Sequence, residues 1–271
     1  MPSPADQEVS TSAPPPKRTT KPASSESLPT APRESKAVHF ALQAKGGVGK
    51  TLTASLVAQY LTETGRAPVC FDTDPLNESL VRIEALGATE VPLLIGDAIN
   101  VDAVDALVER LLTVDAEIVV DNGAASFVPM SRYLIENNIA ELIEAAGKRM
   151  VIHTVIVGGG NTIDTAKGLE AILTSFPSSV KVVVWINEYF GIVSEGGSFE
   201  DWAIYDRYRD RIAGVMHLKQ QSQQFGLNIG QMLERKLTFG QALSDPAFMT
   251  VPRQRLTMFR RAIWDQLAAV I

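Results

Sequence analysis

A glycine-rich run with two lysines and a threonine is the part of the sequence best suited to chemistry. It joins an apolar segment to a segment of helical character and reads Ala44-Lys45-Gly46-Gly47-Val48-Gly49-Lys50-Thr51. Glycines let main-chain N–H groups approach phosphate oxygens without Cβ clashes, and the start of a helix points further N–H groups at the anion. In such a P-loop, Lys50 neutralises β- and γ-phosphate charge and the Thr51 hydroxyl ligates Mg²⁺. The predicted nucleotide-binding residues are Gly46, Gly47, Val48, Gly49, Lys50, Thr51 and Leu52.

Three aspartates follow two other apolar segments and could serve the same site. Asp72 and Asp74 are one residue apart at the end of the second predicted strand, so their side chains face the same side. Asp121 closes the apolar run 117–120 in the Walker B form, which holds the magnesium's ligand shell. Because open α/β sheets bind ligands at the carboxyl ends of their strands, all three are expected at the phosphate site. A pair of helix-capping aspartates is the structural alternative for the first two.

Alternating apolar runs and helical patterns are expected to position these residues. From Lys36 onward this alternation predicts an α/β fold with a doubly wound, mostly parallel sheet of the P-loop NTPase type, covered by helices on both faces. The predicted strands are 38–43, 68–71, 117–120, 150–157, 181–186 and 212–216. The predicted helices are 50–64, 76–86, 101–112, 131–146, 162–176, 222–236 and 254–269.

Composition sets the domain organisation. The 271 residues, 45% of them hydrophobic, suffice for one good-sized α/β domain or two small ones. Residues 1–35 hold eight of the fifteen prolines, many Ser and Thr, and almost no large apolar residues. We therefore predict a disordered tail over 1–35, followed by an ATPase domain over 36–271.

Charge and cysteine content exclude several classes of protein. The formal net charge of -6 gives no global basic field, so contact with nucleic acid would need a local patch. The single cysteine, Cys70, excludes an intramolecular disulfide framework and a thiolate metal cluster. His39, His153 and His217 lie in apolar stretches at unrelated spacings and are expected in the core rather than on a metal. Without a transmembrane-length apolar run or a secretory signal, a cytoplasmic location is expected.

The early lysine of the loop carries a resemblance to a known family. Lys45-Gly46-Gly47-Val48-Gly49-Lys50-Thr51 resembles the deviant Walker A box of ParA, MinD and the nitrogenase iron protein, ATPases that sandwich two nucleotides between subunits. The resemblance implies a nucleotide-gated homodimer in which Lys45 reaches the partner's phosphates. It further implies that Asp74 positions the attacking water and that Asp72 supports the magnesium and Lys50. A merely solvated Lys45 is the alternative.

Two segments depart from the common pattern of that family. Leu76 follows Pro75 where the family often has Gln, and Asp121 is followed by Asn122-Gly123-Ala124 rather than Thr-Pro-Pro. The segment Asn122-Gly123-Ala124 resembles the TraL branch of conjugal-transfer ATPases of broad-host-range plasmids. The same resemblance is carried by residues 72–75, 126–129, 151–155 and 253–256. The resemblance runs from about Lys36 to the C-terminus and implies a role in plasmid conjugal transfer or maintenance.

Asn187, which ends the apolar run 182–186, is the candidate residue for base recognition. The deviant Walker family places an Asn against the adenine edge, so the resemblance implies that role for Asn187. A turn residue after a strand is the alternative. The sequence contains no Asn-Lys-x-Asp guanine-reading motif, which favours ATP over GTP as the cofactor beside Mg²⁺.

The last predicted helix is amphipathic and has a basic first half. Leu256, Phe259 and Ile263 repeat at helical spacing, so docking on the sheet is the default. The alternatives are nonspecific DNA contact, as in ParA relatives, and a less favoured contact with acidic lipid, as in MinD. The basic residues concerned are Arg253, Arg255, Arg260 and Arg261.

The sequence as a whole predicts a slow, Mg-dependent ATPase that switches between states as a nucleotide-dependent homodimer and acts with a conjugation or plasmid-maintenance partner. A ParA-type DNA-partitioning ATPase and a non-catalytic ATP-binding adaptor remain as alternatives.

Overall fold

Seven strands form one parallel sheet in the computed structural model, which describes Met1 and residues 35–74, 79–96, 98–193 and 197–271. The sheet order is β3-β2-β6-β1-β7-β8-β9, and each pairing is parallel. The two remaining short strands, β4 and β5, pair with each other antiparallel. In chain order the strands are β1 (Ala37–Ala41), β2 (Val69–Asp72), β3 (Thr89–Glu90), β4 (Leu94–Ile95), β5 (Ala98–Ile99), β6 (Ile118–Asp121), β7 (Arg149–Val157), β8 (Lys181–Asn187) and β9 (Ile212–Leu218). The predicted α/β class and parallel sheet are confirmed.

Helices cover both faces of the sheet. They are α1 (Lys50–Glu63), α2 (Val101–Thr113), α3 (Phe127–Glu136), α4 (Ile139–Ala145), α5 (Thr162–Ser175), α6 (Ala203–Tyr208), α7 (Gln223–Glu234), α8 (Phe239–Ser244) and α9 (Thr250–Leu267). One hydrophobic core contains the buried apolar residues of α2 to α5, and the other contains those of α1 and α7 to α9. Successive residues of β1 alternate between them, since Val38 and Phe40 belong to the first core and Ala37 and Ala41 to the second. Burial on both faces explains the nearly continuous apolar strands.

Two helix predictions were wrong in detail. Within the described part of 76–86, residues 79–82 form turns and only Glu84–Leu86 is a short 3₁₀ helix. The Asp72 carboxylate accepts the N–H groups of Leu80 and Val81, which draws this stretch into a turn instead of a helix. The single helix predicted over 131–146 is divided at Asn138, whose φ of 50° is left-handed. Asn tolerates that conformation because its short polar side chain can bond locally.

The predicted tail over 1–35 lies, apart from its two end residues, outside the described residues. The same is true of 75–78, where the departure at Leu76 falls.

A chain of buried polar side chains crosses the sheet on the face covered by α1. The Trp185 indole N–H donates to Nδ1 of His153 over 3.0 Å, and Nε2 of His153 lies 2.9 Å from Nδ1 of His39. Because the indole is an obligate donor, the neutral His153 ring carries its proton on Nε2 and donates to His39. His39 then carries its proton on Nε2, which lies 3.6 Å from the Glu117 carboxylate. His39 and His153 are thus core residues, as predicted, whereas His217 is only half-buried.

The register of the central strands gathers three chain segments at one edge. Asp121 at the end of β6 pairs with Ala41 at the end of β1 and with Asp72 at the end of β2. The glycine-rich loop leaves β1 directly beside these ends. In open parallel sheets this carboxyl edge, where the chain order reverses around the first strand, is where ligands bind.

Candidate nucleotide-binding site

The glycine-rich loop folds into the start of α1. Gly47 and Gly49 have φ values of 72° and 106°, in the left-handed region that a side chain disfavours. Gly49 caps α1 without any side chain, and the first turn of α1 carries no acidic residue. The first N–H groups of this helix therefore meet neither a capping side chain nor a carboxylate of their own turn, as anion binding requires.

Lys50 is buried at the base of this loop. Only 7% of its surface is exposed, and its Nζ donates to the main-chain oxygen of Lys45 over 3.0 Å. Burial lowers the pKa of Lys50, while the nearby charges of Asp121 and Asp74 oppose that shift. The ammonium group thus lies within the loop that it would serve, beside the carboxylates of two other segments.

Asp121 is a buried carboxylate without a conventional partner. It is 1% exposed, and neither of its oxygens has a hydrogen-bond partner of normal geometry among the described residues. Burial raises the pKa of Asp121 to about 7; Thr51 and Lys50 oppose the shift, and Asp72 and Asp74 add to it. Such a group is costly unless a cation or a donor joins it. These residues fit Mg²⁺, which commonly takes one or two protein oxygens and completes its shell with water and substrate phosphates.

No dedicated protein cage for a metal accompanies Asp121. Within the described ranges, no group of three or more His, Cys, Asp and Glu side chains is arranged to hold an ion. A cation here would therefore need ligands from a bound phosphate or water in addition to Asp121 and Thr51.

Asp72 supports the main chain on both sides of the undescribed segment 75–78. One carboxylate oxygen accepts N–H groups from Leu80 and Val81 over 2.7 and 3.1 Å, and the other accepts the Asp74 N–H over 3.1 Å. With 1% exposure and both oxygens engaged, Asp72 is arranged as a loop anchor rather than as an open metal ligand. The predicted support of the site by Asp72 would then pass through the backbone that carries Asp74.

The side chain of Asp74 lies against Gly123. A Cβ added at Gly123 would lie 2.8 Å from Cγ and Oδ1 of Asp74 and 2.9 Å from its Cα. A Cβ at Gly46 would lie 3.8 Å from Cβ of Ala124. The glycine-rich loop, the Asp74 segment and the segment after Asp121 thus converge at one place.

A buried polar cluster that the sequence did not reveal joins two of these segments. The Thr73 hydroxyl lies 3.1 Å and the Ser126 hydroxyl 3.2 Å from Oδ1 of Asn122. The Asn122 amide nitrogen donates to the main-chain oxygen of Gly123 over 2.9 Å. The departure Asn122-Gly123 in the sequence marked this position but gave no indication that it bonds to Thr73.

Lys45 pairs with an aspartate of its own chain. Its Nζ lies 3.1 Å from Oδ2 of Asp164, which belongs to the first turn of α5. The two side chains are 39% and 55% exposed, so solvent screens the pair and its net stabilisation is small. Sequence reasoning did not single out Asp164, since one acidic residue in the first turn of a helix is common.

Asn187 holds the glycine-rich loop in place. Its amide nitrogen donates to the main-chain oxygen of Val48 over 2.9 Å, and its oxygen accepts the Tyr189 N–H over 3.1 Å. The second bond is the turn expected after a strand. Contact with adenine, the other predicted role, would require the amide to be shared with or released from Val48.

Gln43 fixes the point where the loop leaves β1. Its oxygen accepts the Ala44 N–H over 2.8 Å, and its nitrogen donates to the main-chain oxygens of Val155 and Thr165 over 2.9 and 3.1 Å. The side chain fits only because Gly168 of α5 has no Cβ, which would lie 2.0 Å from its oxygen. A single glutamine after a strand carries no sequence signal for such a role.

The arginines of α9 contact neighbouring parts of the chain. Arg253 donates to the main-chain oxygen of Asp245 over 2.9 Å, and Arg255 donates to the Asn228 side chain over 2.9 Å. Arg260 lies 3.5 Å from the Glu63 carboxylate, and Arg261 lies 3.9 Å from that of Asp265. The apolar face of α9 is buried in the core with α1. Default docking on the sheet is thus observed, and DNA contact would compete with these internal bonds.

No helix among the described residues is both long and apolar enough to span a bilayer.

Comparison with known proteins gives close sequence relatives. The chain is 39% identical over 234 residues to a protein TraL of Escherichia coli, covering 86% of this chain and 97% of that protein. A second Escherichia coli protein TraL is 37% identical over 238 residues, with 86% and 99% covered. No protein-family model matches the chain.

Solved structures give more distant likenesses. The MinC:MinD cell division protein complex of Aquifex aeolicus has 17% identity and a TM-score of 0.48, over 83% of this chain and 94% of that chain. A plasmid partition protein of Borrelia burgdorferi has 12% identity and a TM-score of 0.37, over 75% of this chain and 96% of that chain.

Proposed function

We propose a function for this chain that starts from its membership of the TraL family. The protein is an ATP-binding and hydrolysing switch that assembles as a homodimer on Mg-ATP and acts in plasmid conjugal transfer or maintenance. The observation that carries the proposal is the buried Asp121, whose oxygens have no hydrogen-bond partner of normal geometry among the described residues, beside a glycine-rich loop in which Lys50 donates to the Lys45 carbonyl. A chain that only needed a stable core would gain nothing from this carboxylate, whereas a cation brought with a nucleotide relieves its burial.

Binding is the first task of these residues. The N–H groups of the loop and the Lys50 ammonium hold the β- and γ-phosphates, which requires Lys50 to exchange the Lys45 carbonyl for phosphate oxygens. Thr51 and Asp121 hold the magnesium, which when bound neutralises phosphate charge. Asn187 supports the loop through the Val48 carbonyl, and in the proposal it also contacts the adenine edge.

Hydrolysis needs a water held in line more than it needs a strong base. Asp74 orients that water, and the Asp72 carboxylate supports Asp74 by accepting its main-chain N–H. Lys45 leaves Asp164 and reaches the nucleotide of a second subunit, where its charge stabilises the transition state. Exchange of an exposed, screened ion pair is a small cost for that step.

The proposal is tested first by nucleotide binding and light scattering without nucleotide, with ADP and with Mg-ATP. Wild type is expected to double its mass from 29.3 kDa only with Mg-ATP. Lys50→Ala should weaken nucleotide binding roughly 10- to 100-fold, because a charged hydrogen bond contributes about 1.5–3 kcal/mol. Lys45→Ala should bind nucleotide but remain monomeric, whereas Asp74→Ala should dimerise and turn over roughly 100-fold more slowly.

Lys181→Ala serves as the matched control, since Lys181 is an exposed lysine at the amino end of β8, the opposite edge of the sheet from the site. An unchanged monomer in every condition would sink the switch and favour a non-catalytic ATP-binding adaptor. Dimers that bind random DNA with steep salt dependence would instead favour a ParA-type partitioning ATPase.

A further inference from the structure

Two segments that flank the proposed site are tied together by side chains outside the phosphate loop. One contains Thr73 and Asp74, and the other contains Asn122, Gly123 and Ser126. We infer that Asn122 and Ser126 are positioning residues: they fix Thr73 so that the Asp74 carboxylate rests on Gly123, and the two segments move as one body. The inference rests on the proposed function, in which Asp74 orients water.

The cluster is fully enclosed. Asn122 and Ser126 are 0% exposed and Thr73 is 1% exposed. The single oxygen of the Asn122 amide lies within bonding distance of both hydroxyls, so it can accept from each of them. If either hydroxyl is removed, the buried Oδ1 of Asn122 loses a donor that water cannot replace. The cluster therefore stabilises its present geometry over alternatives.

The main chain adds to this connection. The Thr73 N–H donates to the main-chain oxygen of Asp121 over 2.8 Å, and the Thr73 hydroxyl lies 2.9 Å from the same oxygen. Thr73 therefore links the residue before Asp74 to the residue that would hold magnesium. A displacement of Asp121 on cation binding would be transmitted to Asp74 through a single intervening residue.

Gly123 leaves space for the side chain of Asp74 because it has no Cβ. The Cβ that any other residue would bring is within 2.9 Å of both the carboxylate and the backbone of Asp74, closer than real Cβ contacts allow. The restriction is spatial, because Gly123 is not among the glycines of positive φ. Asp74 is thus confined between Gly123 on one side and its N–H bond to Asp72 on the other.

A first experiment compares Gly123→Ala with Gly160→Ala, a glycine of the short 3₁₀ helix Gly159–Asn161 whose added Cβ meets nothing within 4 Å. Gly123→Ala is expected to bind Mg-ATP within about twofold of wild type, because the phosphate contacts stay in place, and to turn over roughly 100-fold more slowly. Combined with Asp74→Ala, it should cause no further loss, since both changes remove the same positioned carboxylate. Gly160→Ala should behave as wild type. Wild-type turnover in Gly123→Ala, or additive losses, would overturn the inference.

A second experiment reads the connection without nucleotide, by amide hydrogen exchange. Ser126→Ala is expected to accelerate exchange at the Thr73 and Asp74 amides as well as in 122–127, because the segments are locked together. Thr73→Val should accelerate the same two stretches, and Thr73→Ser, which keeps the hydroxyl, should restore protection. Thr53→Val is the matched control, since its buried hydroxyl has no partner among the described residues. Acceleration confined to the mutated segment would contradict the inference.

The two proposals fail in different ways. Normal turnover in Asp74→Ala would remove the water-orienting role of Asp74 and with it the positioning role of Gly123. A slow Asp74→Ala enzyme combined with a normal Gly123→Ala enzyme would overturn only the inference.

Discussion

At the scale of single residues, Asp121 makes stability depend on pH in the absence of nucleotide. Its carboxyl group is buried at the end of β6, where ionisation is costly, and its pKa is raised to about 7. The unfolded chain ionises the same group near pH 4. Between pH 4 and 7 the folded state therefore binds more protons than the unfolded state, so this group makes stability fall as pH rises through that window.

Asp121→Asn should remove this penalty in metal-free buffer. At pH 7.5 we expect the variant to be more stable than wild type, by at most on the order of 4 kcal/mol from the size of the pKa shift. The stability difference should shrink as pH falls toward 4, since the folded state of wild type is then protonated and the unfolded state begins to be protonated as well. Urea denaturation at several pH values measures it, with the exposed Asp265→Asn as control. An unchanged pH dependence in Asp121→Asn would contradict the raised pKa.

Sequence patterns predicted the positions of the site aspartates at the sheet edge better than they predicted the contacts of those side chains. An apolar run closing on Asp is enough to position Asp121 at the sheet edge. The same reasoning expected Asp72 beside the metal, but its oxygens accept three main-chain N–H groups. Those donors come from residues up to nine positions away, and no local pattern encodes such bonds.

At the scale of elements, α5 contacts the start of the glycine-rich loop although it lies far from that loop in sequence. Its Gly168 lies over Gln43, its Thr165 carbonyl accepts from the Gln43 amide, and its Asp164 pairs with Lys45. The helix therefore fixes both the start of the loop and the resting position of the lysine proposed to cross between subunits.

Gly168→Ala tests this contact. Alanine favours a helix over glycine by up to about 1 kcal/mol, but the added Cβ would lie 2.0 Å from the Gln43 oxygen. We expect net destabilisation of about 1–3 kcal/mol, the usual cost of overpacking. Gly230→Ala in α7, whose Cβ would meet nothing within 4 Å, should instead be neutral or slightly stabilising. Thermal denaturation compares them, and equal melting temperatures for the two variants would argue against the tight contact.

Element prediction succeeded where burial is two-sided and failed where elements are short. The six predicted strands are present because parallel strands buried on both faces read as apolar runs. The two-residue strands and the six-residue helices α6 and α8 are too short for periodicity to reveal. The helix predicted over 76–86 failed since the Asp72 bonds are tertiary contacts that override local propensity.

At the scale of the whole molecule, the two cores share one sheet, and the buried chain from Trp185 to Glu117 crosses it. Burial lowers the pKa of His39 and, more strongly, that of His153. Burial alone would raise the pKa of Glu117, but its contacts with His39 and Ala37 bring it below the usual value. Each shift favours the same arrangement of neutral imidazoles beside a charged carboxylate.

The protein should therefore lose stability in acid. The unfolded state protonates its histidines near pH 6.5, while the folded state resists, so stability falls as pH drops below 6.5 by up to about 2.7 kcal/mol per pH unit for two histidines. Guanidinium denaturation of the Asp121→Asn variant isolates this slope. His153→Gln should be less stable at pH 7 but show a shallower acid slope; an unaltered slope would contradict the buried neutral pair.

The bond between Trp185 and His153 also has an optical consequence. Trp185 is one of three tryptophans, and the other two, Trp202 and Trp264, are only half-buried. Its indole is 0% exposed and donates to an imidazole, so it is expected to emit at shorter wavelength than the other two. Since a protonated His153 could no longer accept from the indole, the emission of Trp185 reports the charge of a group that no solvent-borne dye can reach. The chain thus contains its own spectroscopic indicator of the acidity of its core.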